Sequence, residues 1–163
     1  MLEMQVVAIG LDAQRGTPLL LVAEQGGRHR ALPVSIGAAE AAAIHVALRG
    51  EQSSRPPTHQ LIVEIIAALG SQLDHVEITA MHDSIFHADL VFADRVRISA
   101  RPSDAVALAL HAEIPIRAPE ELLDLVGTTA FVVDRTDADP DETEVAKFRS
   151  ELEHLDPDDF TFG

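Results

Sequence analysis

The chain has 163 residues, of which 47% are hydrophobic and 24% charged, so it has the size and composition of about one globular domain and is neither disordered nor collagen-like. It contains no cysteine, which excludes disulfides, thiolate zinc sites, iron–sulfur clusters and a cysteine nucleophile. No secretory signal and no apolar segment of membrane-spanning length is visible. We therefore expect a cytoplasmic protein with no membrane partner.

The net charge is −15, and it is distributed unevenly. Residues 134–163 contain 11 acidic and 3 basic side chains, so they contribute −8 of that total. Such a chain attracts long nucleic acid weakly, and with no Tyr or Trp it has few surfaces on which bases could stack. The change in composition predicts one domain over residues 1–133, followed by an acidic linker and a C-terminal helix in residues 134–163 with Asp139 as its N-cap.

The first half of the chain reads as strands followed by helices. An alanine-rich helix is predicted over 38–49, with Gly50 as its C-terminal cap. Apolar residues at helical spacing predict a second helix that starts at Thr58, as the N-cap, and ends before Gly70. Before these helices, three strand-like runs separated by turn signals predict an antiparallel meander, at residues 5–11, 18–24 and 29–36.

The second half repeats this order. A shift of 64 residues superimposes the start of the first helix on a helix predicted over 102–111 and pairs Glu40 with Asp104. We therefore predict an α+β fold built from duplicated βββα units with a mixed or antiparallel sheet; the alternative is coincidence between two alanine-rich helices. This later helix is preceded by strand-like runs at residues 75–81, 85–92 and 95–100. It is followed by a short strand at 114–117 and a brief helix at 119–127.

Three polar clusters are candidates for chemistry. The first is Arg101-Pro102-Ser103-Asp104, where a strand meets a helix. Free N–H groups at such a start favour an anion, which Arg101 could grip. Equally, these residues could form an ordinary helix start, with Pro102 in the first turn, Ser103 as a cap and Asp104 opposing the helix dipole.

The second cluster is Arg55-Pro56-Pro57-Thr58-His59 at the entry to the isoleucine-rich helix. His59 could serve as a general base or acid near neutral pH, and Arg55 could stabilise charge on a phosphate. These are the roles that phosphodiester hydrolysis requires. The alternative is a proline-stiffened loop with a helix cap and a solvated histidine.

The third cluster surrounds Glu40, in the first turn of its helix. If the two halves pack symmetrically, Glu40 and Asp104 could share a divalent ion such as Mg²⁺; alternatively, each acid only opposes its own helix dipole. Zinc-binding histidine patterns, a Walker loop, a dinucleotide glycine fingerprint and a Gly-x-Ser-x-Gly elbow are all absent from the sequence.

Taken together, three blocks of sequence resemble the bifunctional nuclease domain family over about residues 4–130: residues 32–41, residues 55–59 and residues 100–109. The resemblance implies a compact α+β domain that associates with itself, with a dimer favoured, and a nuclease acting on DNA, RNA or both. The polar positions that match are Glu40, Arg55, Thr58, His59, Arg101, Ser103 and Asp104. On this reading His59, Asp104 and Glu40 are catalytic, and Arg55, Arg101, Thr58 and Ser103 bind the substrate.

The chain departs from the family pattern at two positions. Gln60 stands where the family commonly has an acid after the Thr-His pair, and His87 stands where a tyrosine is usual after Phe86. If the missing acid orients His59 in other members, hydrolysis by this chain would be weaker. The sequence therefore leaves two hypotheses: a nuclease, or a noncatalytic oligomeric binding or regulatory module.

Overall fold

A computed structural model describes residues 1–12, 15–50 and 54–129, with Thr129 described by its backbone alone. All of these belong to one compact unit, Met1–Phe131. The expected domain boundary at 133, the acidic linker and the C-terminal helix lie outside the described residues. The elements in chain order are β1 (Leu2–Leu11), β2 (Pro18–Glu24), β3 (Arg30–Ser35), α1 (Ala38–Arg49), α2 (Thr58–Ala68), β4 (Leu73–His82), β5 (Ile85–Phe92), β6 (Arg97–Ala100), α3 (Pro102–Ala112), β7 (Ile116–Ala118), α4 (Glu120–Val126) and β8 (Thr128–Thr129).

The strands of the described residues form one sheet in the order β6-β5-β4-β7-β1-β2-β3-β8. Strand β7 pairs with β4 in parallel and with β1 antiparallel, and every other neighbouring pair is antiparallel. The predicted α+β class and mixed sheet are confirmed. Each half is a three-stranded meander followed by a helix, and β7 joins the halves by pairing with the first strand of each. Duplication as the origin of this arrangement stays a prediction.

The two predicted N-caps within the described residues, Thr58 and Ser103, are wrong. The N-cap of α2 is Pro57, and that of α3 is Arg101; neither helix has a side-chain cap hydrogen bond. Pro57 holds an extended conformation, with φ −65° and ψ 165°, so Thr58 already has helical geometry. Ser103 lies beyond Pro102, within the first turn of α3. At the other end of α1, Gly50 adopts the left-handed conformation expected of a C-terminal cap, with φ 60°.

The helix α3 lies at the centre of the helical layer. It packs against α1, α2 and the sheet strands β4 and β5. Ala105, Ala107 and Ala109 are almost completely buried, and their small side chains allow the neighbouring helices to approach closely. From the sheet, alternate residues such as Val76 and Ile78, both 0% exposed, complete the core beneath it.

The β2–β3 hairpin is held by a buried ion pair. Glu24 is 5% exposed, and Arg30 Nη2 donates to its Oε2 at 2.8 Å while Arg30 Nε donates to Oε1 at 3.2 Å. These side-chain hydrogen bonds outweigh the effect of burial and lower the pKa of Glu24 from 4.5 to about 2. The carboxylate is therefore stabilised in its charged form inside the fold.

Candidate active site

The site lies where α1 and α3 begin, side by side. Glu40 is the third residue of α1, and its carboxylate folds back over Gly37, the N-cap. A Cβ atom at Gly37 would collide with Glu40 Oε2, so glycine makes room for this rotamer. The fold therefore presents the Glu40 carboxylate beside the start of α3.

Arg101 joins the two helix starts. Its Nε donates to Asp104 Oδ2 at 2.7 Å and its Nη2 to Asp104 Oδ1 at 3.1 Å, which is a bidentate pair. Its Nη1 donates to Glu40 Oε1 at 2.9 Å. Three of the five guanidinium N–H groups are used in this way, and the side chain is still 66% exposed, so two N–H groups remain for a ligand.

His59, from the first turn of α2, completes the cluster. Its Nε2 lies 3.3 Å from Asp104 Oδ1, and the two side chains are 17% and 28% exposed. The predicted residues Glu40, His59, Arg101 and Asp104 thus come together from three helix starts that are far apart in sequence. We refer to these four residues as the Arg101 cluster.

Electrostatics fix the charge state of Asp104. Burial alone would raise the pKa of this carboxyl, but hydrogen bonds from Arg101 and then His59 outweigh burial and lower the pKa below its usual value. His111 lies two turns further along α3 on the side of Asp104. Its pKa is lowered, mainly by burial and also by the charge of His59. At neutral pH, therefore, Asp104 is an anion and His111 is neutral.

The residues present do not fit the expected divalent-ion site. Glu40 and Asp104 are close together, as predicted, but the guanidinium of Arg101 lies between them and pairs with both. Among the described residues, no group of three His, Asp or Glu side chains is placed to hold a metal ion. Likewise, the protein's own Asp104 already takes part of the Arg101 fork that we expected an anion to occupy.

The other three predicted site residues differ in their surroundings. Arg55 and Thr58 are exposed where the chain enters α2, beside His59 but outside the Arg101 cluster. Ser103 is buried, with 6% of its surface exposed, and lines a groove next to Arg101. The structure thus brings four of the predicted residues into one cluster and places Ser103 beside it.

This groove, which we call the helix-start groove, has a volume of about 470 Å³. Its walls are the starts of α1 and α3, the end of β3, the β4–β5 turn and the β1–β2 hairpin. The hairpin contributes Arg15, which the sequence analysis did not select. Arg15 follows no motif and precedes a glycine in a turn, so only its charge could have marked it in the sequence.

Comparison with known proteins gives two findings. A family model described as the bifunctional nuclease domain matches residues 19–130. Two relatives from Mycobacterium tuberculosis, from strains CDC 1551 / Oshkosh and H37Rv, are each 41% identical over 162 residues, which is 97% of this chain and 97% of each relative. Both relatives are named only as uncharacterized proteins, so their similarity extends over 97% of the chain but indicates no activity.

Proposed function

Because this chain belongs to the bifunctional nuclease domain family, we propose that it is a nuclease that hydrolyses phosphodiester bonds of DNA, RNA or both in the cytoplasm. The observation that carries the proposal is the Arg101 cluster. It combines an imidazole, a carboxylate that can orient it and a partly free guanidinium at the edge of the helix-start groove. Those three groups supply a base, its orienting partner and a stabiliser of phosphate charge.

His59 is the group that we assign to proton transfer. If its Nε2–H donates to Asp104, the imidazole takes the tautomer in which Nδ1 carries a lone pair. Nδ1 can then accept a proton from an attacking water as the water oxygen bonds to phosphorus. The bond from phosphorus to the leaving sugar oxygen breaks, that oxygen takes up a proton from solvent water, and His59 then returns its extra proton to solvent. Asp104 stabilises the imidazolium that forms at His59.

Arg101 is the group that we assign to the phosphate. Its two remaining N–H groups can bind the non-bridging oxygens, where negative charge develops during the reaction. Glu40 holds the guanidinium from its other end, at 2.9 Å, and so acts as a positioning residue for Arg101 in this proposal. Arg55 and Thr58 would contact the strand beyond the reacting bond, from the exposed entry to α2.

The test of this assignment is cleavage of labelled single- and double-stranded DNA and RNA with Mg²⁺, Mn²⁺ or EDTA. The variant His59→Ala should lose about a hundredfold or more in rate, because general-base catalysis contributes about that much. His45→Ala is the matched control, since His45 is an exposed histidine of α1. Equal loss in both variants, or no loss in His59→Ala, would contradict the assignment.

A specific surface supports a second candidate, the noncatalytic oligomeric module. The helix α2 has no fully buried residue and leaves large apolar side chains exposed, with Leu61 at 44%, Ile62 at 37%, Ile65 at 47% and, just after the helix, Leu69 at 79%. Contiguous apolar surface of this kind marks interaction sites in soluble proteins. We propose that a second copy of the chain covers it and forms a dimer, whether or not the protein is catalytic.

Light scattering on a size-exclusion column tests self-association. Wild type should have the mass of a dimer, and Ile65→Ser should shift it toward the monomer. Ile85→Ser is the control, because Ile85 is an isoleucine that is also exposed, at 64%, but lies at the start of β5 and not on α2. A monomeric wild type would contradict the dimer. A dimeric protein that cuts no nucleic acid would favour the noncatalytic module.

A further inference from the structure

A serine hydroxyl without a hydrogen-bond partner among the described residues lines the helix-start groove. Ser103 is 94% buried, since 6% of its surface is exposed, and its side chain lines the groove. Within the described part of the chain its hydroxyl makes no hydrogen bond. No side-chain oxygen of the described residues is both buried and without a partner, so the Ser103 hydroxyl is open to the groove, where a ligand can hydrogen-bond to it.

Two arginines line the same groove, together with the Glu40 carboxylate that pairs with Arg101. Arg15 and Arg101 both line it, and the starts of α1 and α3, helices of 12 and 11 residues, form part of its wall. Unpaired N–H groups and the helix dipole favour an anion at each start. Together with the free hydroxyl of Ser103, these groups suit the oxygens of a phosphate.

The β4–β5 turn gives the groove an apolar wall. Ile85, which is 64% exposed, and the partly buried Phe86 line it together with Ser84. An exposed isoleucine at a hairpin tip gains from being covered by a flat apolar group. A nucleobase is such a group, and Phe86 is one of only 6 aromatic residues of the Phe, Tyr and Trp types in the chain.

We propose that the helix-start groove binds a single nucleotide unit of the substrate. Its phosphate would lie against Ser103 and Arg101, and its base against Ile85 and Phe86. A volume of about 470 Å³ is that of a small-molecule site, and a base can lie against Ile85 and Phe86 only when it is not paired within a duplex. The proposal rests on the proposed nuclease function for its choice of ligand, and it makes single strands or strand ends the substrate class.

Equilibrium binding without cleavage tests the groove independently of catalysis. The probe is adenosine monophosphate, titrated calorimetrically at low salt against the full chain, with adenosine and inorganic phosphate as separate arms. Wild type should bind adenosine monophosphate at least tenfold more tightly than either fragment. Ser103→Ala should weaken that binding about tenfold, and Ser99→Ala, which removes an exposed hydroxyl on β6, should leave it unchanged.

Ile85→Ser provides a second variant that should fold, because the side chain is exposed; it should weaken nucleotide binding and leave phosphate binding unchanged. No binding of adenosine monophosphate, or equal binding by wild type and both groove variants, would overturn the proposal. Equal affinity for phosphate and the nucleotide would overturn it as well, since the groove would then hold only an anion. Cleavage without nucleotide binding would refute the groove alone, whereas nucleotide binding without cleavage would support the groove and refute the nuclease.

Discussion

Truncation of Ile44 tests how the fold holds Glu40 against Arg101. Ile44 lies one turn after Glu40 on α1 and is 0% exposed, and no other described residue of that helix is fully buried. Replacing it with alanine removes three carbon atoms from a closely packed site and should lower the free energy of unfolding by about 3 kcal/mol. Ile44→Val removes one carbon and should cost about 1 kcal/mol.

Urea unfolding at pH 7 measures these differences, with the slope of the transition checked for equality among variants. Leu48→Ala is the control: this leucine of α1 is 45% exposed, so its truncation should change stability by about 0.5 kcal/mol. We also expect cleavage by Ile44→Ala to fall at temperatures where it is still folded, because a loosened α1 weakens the Glu40–Arg101 contact. If Ile44→Ala cost no more than Leu48→Ala, the argument that Ile44 anchors α1 would be refuted.

Three further predictions concern charge and space. The pKa of Glu24 falls from 4.5 to about 2 on folding, so its ion pair stabilises the fold fully above pH 4.5 and loses that effect as the pH falls toward 2. At pH 7, Glu24→Gln should therefore unfold at a lower urea concentration than wild type. The difference between the two urea midpoints should vanish near pH 2. Arg101→Ala removes hydrogen bonds that lower the pKa of Asp104, so this carboxyl should titrate at a higher pH by NMR, and an unchanged pKa would contradict the pairing. Gly37→Ala keeps a permitted φ of −80° but displaces the Glu40 carboxylate, so it should reduce cleavage with little change in urea midpoint; full activity would show that the Glu40 position is unimportant.

Local patterns in the sequence predict most elements because those elements depend on neighbours along the chain. The apolar spacing of α2, the glycine cap after α1 and the hairpin turns each have a local cause. The position of β7 between β4 and β1 has no such cause. It depends on pairings across most of the chain, for example Leu2 with Ala118, and a three-residue strand carries too little pattern to predict them.

In the candidate site, too, the sequence predicts the features that have a local cause but not the contacts that depend on tertiary packing. The sequence predicts that Glu40 and Asp104 occupy equivalent places, since both stand three residues after a helix N-cap. It does not predict that Arg101 pairs with both, because that contact needs α1 packed beside α3, and an arginine at a helix start can equally face a bound anion. The sequence does not predict the pairing of His59 with Asp104 either, because that contact depends on how α2 packs against α3.

The central claim, that the Arg101 cluster cleaves nucleic acid, is tested most directly with the double variant Arg101→Ala/His59→Ala. Wild type, this variant and the matched control Arg95→Ala/His45→Ala, which removes an exposed arginine and an exposed histidine, are purified in parallel and given the same labelled single-stranded DNA and RNA. We predict cleavage by wild type and control and none by the cluster variant. Cleavage by the cluster variant at the wild-type rate, or by none of the three proteins, would contradict the claim.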